Sequence, residues 1–248
     1  MITRVALISV GDARDPGVWS GIPWQIRSTL TAMGVDVTDV SPLRVPFARG
    51  RHLAFTAAQR IGRHYRYDLD RGSIRAMGRA ANRRLSESRV DAVISTSMLP
   101  LAALRTTLPV GVWQDATIAN LVETYAEYRR LSAARRRRLF AMEREILSRV
   151  TVAGYASSWA ARSAIEVLGA PESRVVELPF GAGLLPRGGF DPAPALAARA
   201  TDVCRLAWIG ADWQRKRGDF AIAVAQALVE RGRQVHLTMV GQAPPHGT

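Results

Sequence analysis

Cys204-Arg205-Leu206-Ala207-Trp208-Ile209-Gly210-Ala211-Asp212-Trp213-Gln214-Arg215-Lys216-Arg217-Gly218-Asp219-Phe220 begins as a short apolar run, breaks at a glycine-bounded turn and enters a helical pattern. Phe220, Val224, Ala227 and Leu228 then share one helical face, Gly232 ends the pattern, and Val235 to Val240 forms a second apolar run. Strand, turn, helix and strand in this order make one βαβ unit, which sets the fold class as α/β. The same alternation fills the chain on the N-terminal side, with strand-like runs at residues 4–10, 35–40, 91–96, 110–114, 150–155 and 174–178. Most are continuously apolar, as expected of a parallel sheet covered by helices on both faces.

The first helix is the best marked. Ile22, Ile26, Leu30 and Met33 fall on one face, Ser20 is the candidate N-cap, Pro23 lies in the first turn and Gly34 follows the end. Residues 43–82, rich in arginine and broken by Pro46, Gly50, Gly62 and Gly72, read as helices inserted between the second and third strands. Gly, Pro and Ala dominate residues 182–202, the composition of a linker. The organisation expected is a Rossmann-like N-terminal domain over 1–181, the linker over 182–202, and a partial second Rossmann-like domain over 203–248. Two parallel strands and a helix bury too little to stand alone, so the unit either docks on the first domain or belongs to a truncated second domain, and the second is the expectation.

Composition narrows the function classes. No apolar stretch approaches the ~20 residues of a membrane span, and the opening residues run straight into a strand, which points to a cytoplasmic protein. Cys204, the single cysteine, excludes an intrachain disulfide and reads as a small buried residue. The net charge of +13 fits phosphorylated substrates, nucleic acid or an anionic membrane surface. Arg129, Arg130 and Arg135 to Arg138 lie in a helical segment as a solvated face, with no interleaved aromatics of the kind that stack on nucleic-acid bases.

The 34 basic residues comprise one lysine, Lys216, and otherwise arginine. Lys216 sits in the turn after the first strand of the βαβ unit, where backbone N–H groups and a helix N-terminus favour an anion. Arg215 beside it offers a forked grip on phosphate oxygens, whereas lysine acts as a point charge. The competing reading is a pair of solvent-exposed cations. Gly21 precedes a helix N-terminus and lacks a Cβ, so ligand atoms can reach backbone amides there, or it is a plain helix-entry turn. Asp115 follows a strand at its carboxyl end, where open α/β sheets bind ligands, or it caps the next helix. Trp19 and Trp24 flank Gly21 and read as core residues or as a sugar-stacking surface, with core the preferred reading.

Five segments in order resemble glycosyltransferase family 4, retaining enzymes of the two-Rossmann-domain GT-B type: residues 19–23 (Trp-Ser-Gly-Ile-Pro), 113–117 (Trp-Gln-Asp-Ala-Thr), 155–161, 178–183 (Leu-Pro-Phe-Gly-Ala-Gly) and 209–218. The resemblance implies a nucleotide-sugar donor and a carbohydrate or lipid-linked acceptor, with no separate cofactor. It makes Lys216 the diphosphate-binding lysine, adds Arg215, Gly210 and Gly21 to the donor side, and places Asp115 on the catalytic face. The arginine that many members carry after the strand-end glycine is Ala211 here. The family's pair of glutamates, seven residues apart in the second half of the donor domain, is missing, so weak or absent donor binding and impaired activity are expected. Zinc-site spacing around the four histidines, a nucleophile elbow and a Gly-Lys-Ser/Thr phosphate loop are all missing. The alternatives are a non-catalytic basic module for nucleic acid or an anionic membrane, and an acceptor-binding subunit of a split enzyme.

Overall fold

The structure is a computed structural model that describes residues 2–43, 66–181, 191–199 and 202–242. The chain divides into two compact units, residues 1–184 and 185–248. In the first, strands β1 (Arg4–Ile8), β2 (Asp36–Val40), β3 (Ala92–Ser95), β4 (Val110–Gln114), β5 (Val152–Tyr155) and β6 (Val175–Glu177) form one sheet in the order β2-β1-β3-β4-β5-β6. Every neighbouring pair is parallel. All six expected strands are found, each within a residue or two of the sequence reading, and most are the short, nearly continuous apolar runs that a sheet covered on both faces buries.

Helices α1 (Ile22–Ala32), α2 (Arg71–Ser86), α3 (Met98–Leu101), α4 (Ile118–Thr124), α5 (Ala126–Arg129), α6 (Ala133–Arg149) and α7 (Ser158–Arg162) provide the cover. Alternation along the strands divides the core by face. Ala6, Ile8, Val93, Val112 and Ala153 pack with Met77, Leu139, Ile146 and Leu147 from the helices on one side. Leu7, Val37 and Ile94 meet Ile22, Ile26 and Leu30 of α1 on the other. Full burial of a side chain such as Leu7 or Ile8 is worth about 1.5–3 kcal/mol relative to exposure, so the central strand anchors both layers. A staple closes the amino-terminal edge: the Asp91 carboxylate accepts from Thr3 N and Arg4 N and pairs with the Arg4 guanidinium at 2.8 Å. That pairing holds the Asp91 carboxyl well below its ordinary value.

Several local expectations are corrected. Ser20 is not the N-cap of α1; that position belongs to Gly21, and Met33 is 74% exposed because the apolar stripe ends at Leu30. Arg135 and Arg138 are not merely solvated. The Arg135 Nη2 donates to the Arg66 carbonyl and to Asp70 Oδ1, and the Arg138 Nη2 donates to the Leu69 carbonyl, so both dock α6 on the segment leading into α2. Of the expected insertion over 43–82, residues 44–65 lie outside the described residues. Within the expected linker, helix α8 (Pro192–Ala197) is capped by Asp191, whose Oδ1 accepts from Ala193 N.

The second unit carries β7 (Val203–Gly210), α9 (Gly218–Glu230) and β8 (Gln234–Gly241), with the two strands parallel and in register from Val203↔Gln234 to Gly210↔Gly241. Helix α9 covers one face only. Phe220 faces outward at 59% exposure, and Cys204 is half-buried, not buried as expected. No helix among the described residues is long and apolar enough to cross a membrane.

Candidate functional site

The strand order reverses between β1 and β3, and the loops leaving the carboxyl ends of β1, β3 and β4 meet there. The β1–α1 loop ends in three consecutive left-handed residues, Trp19 (φ 45°), Ser20 (φ 55°) and Gly21 (φ 81°). Left-handed backbone costs an L-residue about 1–2 kcal/mol, and strain of this kind concentrates where a loop must hold one shape for a ligand. The turn delivers the chain into α1 with no side-chain cap on the helix N-terminus. A Cβ at Gly21 would lie 3.2 Å from the Pro16 carbonyl oxygen, so the position has little room as well as a positive φ.

Trp19 does not enter the core. It is half-exposed, like Trp24, and its ring meets Phe180 edge-on at 5.5 Å, while Trp113 lies 5.4 Å from the same ring. The Trp113 Nε1 donates to the Leu178 carbonyl at 2.7 Å. Segments separated by most of the unit's length, at 19, 113 and 178–180, thus share one aromatic cluster beside the carboxyl end of β4.

Asp115 directly follows β4 and is not a helix cap. That role is filled by Thr117, whose Oγ accepts from Asn120 N at 3.1 Å while the Asn120 side chain returns to Thr117 N at 3.0 Å. Crowding on one side raises the Asp115 carboxyl above its ordinary value, opposed by hydrogen bonds from its own and the Ala116 backbone N–H and from the Trp19 side chain. The residue as a whole stays exposed, so solvent screens the effect.

Below this rim lies a cavity of about 290 Å³. Val10, Val18, Met98, Leu99, Leu121 and Met142 form much of its wall, and neither Gly21 nor Asp115 lines it, although Trp19, Pro23, Gln114 and Ala116 on either side of them do. Ser9, Arg66, Asp68, Thr96, Ser97, Gln114, Tyr128 and Glu143 supply its polar groups. Glu143, from the buried stripe of α6, accepts the Ile118 N–H at 2.8 Å at the N-terminus of α4. Burial pushes the Glu143 carboxyl up to about 7, opposed by that hydrogen bond. The Gln114 Oε1 is buried and has no hydrogen-bond partner among the described residues. Arg66 also lines the wall, but its guanidinium binds Asp68 through two contacts, at 2.9 and 2.7 Å, and lies 4.6 Å over the Tyr128 ring.

In the second unit the expected cations sit on a built loop. The Trp208 indole Nε1 donates to the Lys216 carbonyl at 2.8 Å, and Trp208 and Trp213 pack 5.3 Å apart. Gly210 and Gly218 make room for these rings: a Cβ at Gly210 would sit 2.6 Å from Trp208, and one at Gly218 would sit 2.5 Å from Trp213. Lys216 N donates to the Asp212 carbonyl, and Trp213 N donates to the Gln242 Oε1 at 2.7 Å, tying the loop to the end of β8. Arg217 enters α9 at φ 53° and pairs with Asp219 at 3.3 Å. Arg215 pairs weakly with Asp212 at 3.8 Å. Lys216 is exposed and forms no ion pair among the described residues.

Glu143 and Gln114 received no role in the sequence reading. Gln114 lay inside a quoted segment. Glu143 carried a usable signal, a lone carboxylate on the apolar stripe between Leu139 and Ile146, which periodicity alone treats as a surface residue.

The sequence matches no protein-family profile and no curated protein. Among solved structures, sucrose-phosphate synthase from Thermosynechococcus elongatus is similar over 99% of this chain and 64% of that one, with a TM-score of 0.62 and 14% identity. The chain therefore spans less than two thirds of that structure's length. At this identity the likeness carries the fold alone, a six-stranded parallel sheet followed by a unit with two parallel strands.

Proposed function

We propose that the protein is a glycosyltransferase that moves a sugar from a nucleoside-diphosphate sugar to an acceptor hydroxyl, with retention at the anomeric carbon as the likeness to family 4 implies. In that reaction the bond between the anomeric carbon and the diphosphate oxygen breaks, a bond to the acceptor oxygen forms, the diphosphate departs with the electron pair and the hydroxyl proton leaves with it or to solvent. Negative charge builds on the departing phosphate, so a fixed cation there stabilises the transition state more than the ground state. Lys216 carries the reading: it is the sole lysine, unpaired among the described residues, on a loop fixed by two indoles at the carboxyl end of β7. Arg215 supplies a second cation on the same loop, and the aromatic rim with Asp115 in the first unit serves the acceptor side.

The test is an NMR titration of the isotope-labelled protein with UDP-, GDP- and ADP-sugars to millimolar concentration. Amides of residues 210–218 shift saturably with one nucleotide class, with the weak affinity expected from sequence, and Lys216→Ala removes the response. Silence across the panel, or an unchanged response in the Lys216→Ala variant, overturns the assignment.

A further inference from the structure

A second concave surface of the first unit is made of arginine. Helix α2 presents Arg75, Arg79 and Arg83 at four-residue intervals, all exposed. Arg105, from the turn before β4, and Arg149, the last residue of α6, line the same groove of about 820 Å³. The packing that forms it is specific. Gly78 lets α2 approach the turn so closely that a Cβ there would lie 2.6 Å from the Ala103 Cβ. The Asn82 side chain fastens the two: its Nδ2 donates to the Ala103 carbonyl and its Oδ1 accepts from Arg105 N, each at 2.8 Å. Arg105 and Arg149 precede β4 and β5, so they stand at the amino-terminal edge of the sheet, opposite the loops that carry Trp19 and Asp115.

The charge of this groove is not answered from within the chain. All 21 acidic residues lie among the described residues, and none lines the groove. The acid in ion-pair reach is Glu145, itself exposed and 3.8 Å from Arg149. Like charges four residues apart on a helix repel, a cost that a bound anion relieves. Guanidinium groups grip phosphate oxygens through paired hydrogen bonds of about 2.7–2.9 Å, and Arg75 and Arg83 are about 12 Å apart along the helix axis, so one phosphate cannot engage the set. We infer that the groove binds a soluble anion carrying a chain of phosphates, at a site separate from the donor and acceptor positions proposed above. The described lining residues include no aromatic ring on which a nucleic-acid strand would stack. No large apolar residue of α2 or of residues 102–108 is exposed, as insertion into a lipid surface requires.

The experiment follows the whole isotope-labelled protein by NMR at constant ionic strength, with inorganic tripolyphosphate and orthophosphate as probes. The Arg105 amide and the Asn82 side-chain amide report the groove, while residues 210–218 report the loop of the second unit separately. Tripolyphosphate shifts the groove signals saturably and binds about tenfold or more tightly than orthophosphate, the ratio expected of one further charge-assisted hydrogen bond. Arg79→Gln combined with Arg105→Gln weakens it by about a hundredfold, roughly tenfold for each arginine. Arg137→Gln combined with Arg162→Gln, exposed positions outside the groove that lower the net charge equally, changes it by about twofold or less. Equal losses in the two double variants, or equal binding of the two probes, overturn the inference. So does displacement of tripolyphosphate from the groove by phosphatidylglycerol vesicles or a DNA duplex at a lower phosphate concentration, which assigns the face to a macromolecule. Lys216→Ala leaves the groove response unchanged. A groove response beside a silent nucleotide-sugar titration overturns the transferase reading alone, and the reverse overturns this inference alone.

Discussion

The Glu143 carboxylate accepts the Ile118 backbone N–H at 2.8 Å, so a buried acid from α6 holds the N-terminus of α4. Its carboxyl is raised to about 7 from an ordinary value of 4.5. Between those values the folded protein keeps a proton that the unfolded chain has released, so stability falls as pH rises through this window and the loss is complete above about 7. The size of the loss is on the order of 3 kcal/mol, from ~1.4 kcal/mol per pH unit. Glu143→Gln keeps an oxygen for Ile118 and cannot ionise. The variant gains stability relative to the unaltered protein as pH is raised from 4 to 8, measured by urea denaturation at each pH; parallel pH profiles for the two proteins contradict the assignment.

The Thr117 hydroxyl ties the N-terminus of α4 to the turn that follows α7. It accepts from Asn120 N, donates to Asn120 Oδ1 at 2.9 Å, and lies 2.8 Å from the Ser163 Oγ, all out of contact with water. Thr117→Val keeps the shape and removes the hydroxyl. The loss is about 1–2 kcal/mol for a cap, increased by leaving Ser163 short of a partner. Ser163→Ala costs less, since the Thr117–Asn120 box survives. Thermal unfolding of the two variants ranks them, and equal midpoints refute the ranking.

The legible parts of this fold are those governed by period. Short apolar runs, continuous in most cases, give the eight strands within one or two residues, and the helical segments between them give the parallel pairing. What escapes is set by contacts made across long stretches of sequence. Ser20 has the right chemistry for an N-cap, yet the loop's three left-handed residues shift the cap to Gly21. Arg135 looks solvated within its helix and becomes an internal strut only because the Arg66–Asp70 segment arrives beside it. Trp19 looks apolar enough for the core, and its place on the rim is set by Phe180, some 160 residues away. Glu143 is the instructive case for the site, because a carboxylate on an apolar stripe becomes meaningful only when the cavity and the Ile118 N–H appear next to it.

Ser20 and Gly21 sit at the same kind of backbone conformation and respond to substitution in opposite directions. Gly21→Ala places a Cβ at φ 81° and 3.2 Å from the Pro16 carbonyl oxygen, and the loss is about 1–2 kcal/mol. Ser20→Gly relieves a left-handed residue at φ 55°, a gain of about 1 kcal/mol, less part of it for the freer unfolded chain. The expected result is a lowered melting midpoint for the alanine variant and an unchanged or raised one for the glycine variant. A fall for Ser20→Gly as large as that for Gly21→Ala contradicts the left-handed turn.

Gly210 separates the shape of the cationic loop from its charge. Its Cα lies under the Trp208 indole, and a methyl group there meets the ring at 2.6 Å and the Lys216 Cβ at 2.9 Å. Overpacking of this kind costs about 1–3 kcal/mol, and the cheapest relief is to swing the indole away, which breaks the bond from Trp208 Nε1 to the Lys216 carbonyl. Gly210→Ala therefore lowers the hydrogen-exchange protection of Lys216 N and Trp213 N and changes the near-ultraviolet circular dichroism of the Trp208–Trp213 pair. Lys216→Ala ends the side chain at Cβ and leaves the backbone carbonyl in place, so both signals persist. Loss of the indole signal in the Lys216→Ala variant shows that the lysine side chain holds the loop together, and its charge is then not the separable feature that the donor site requires.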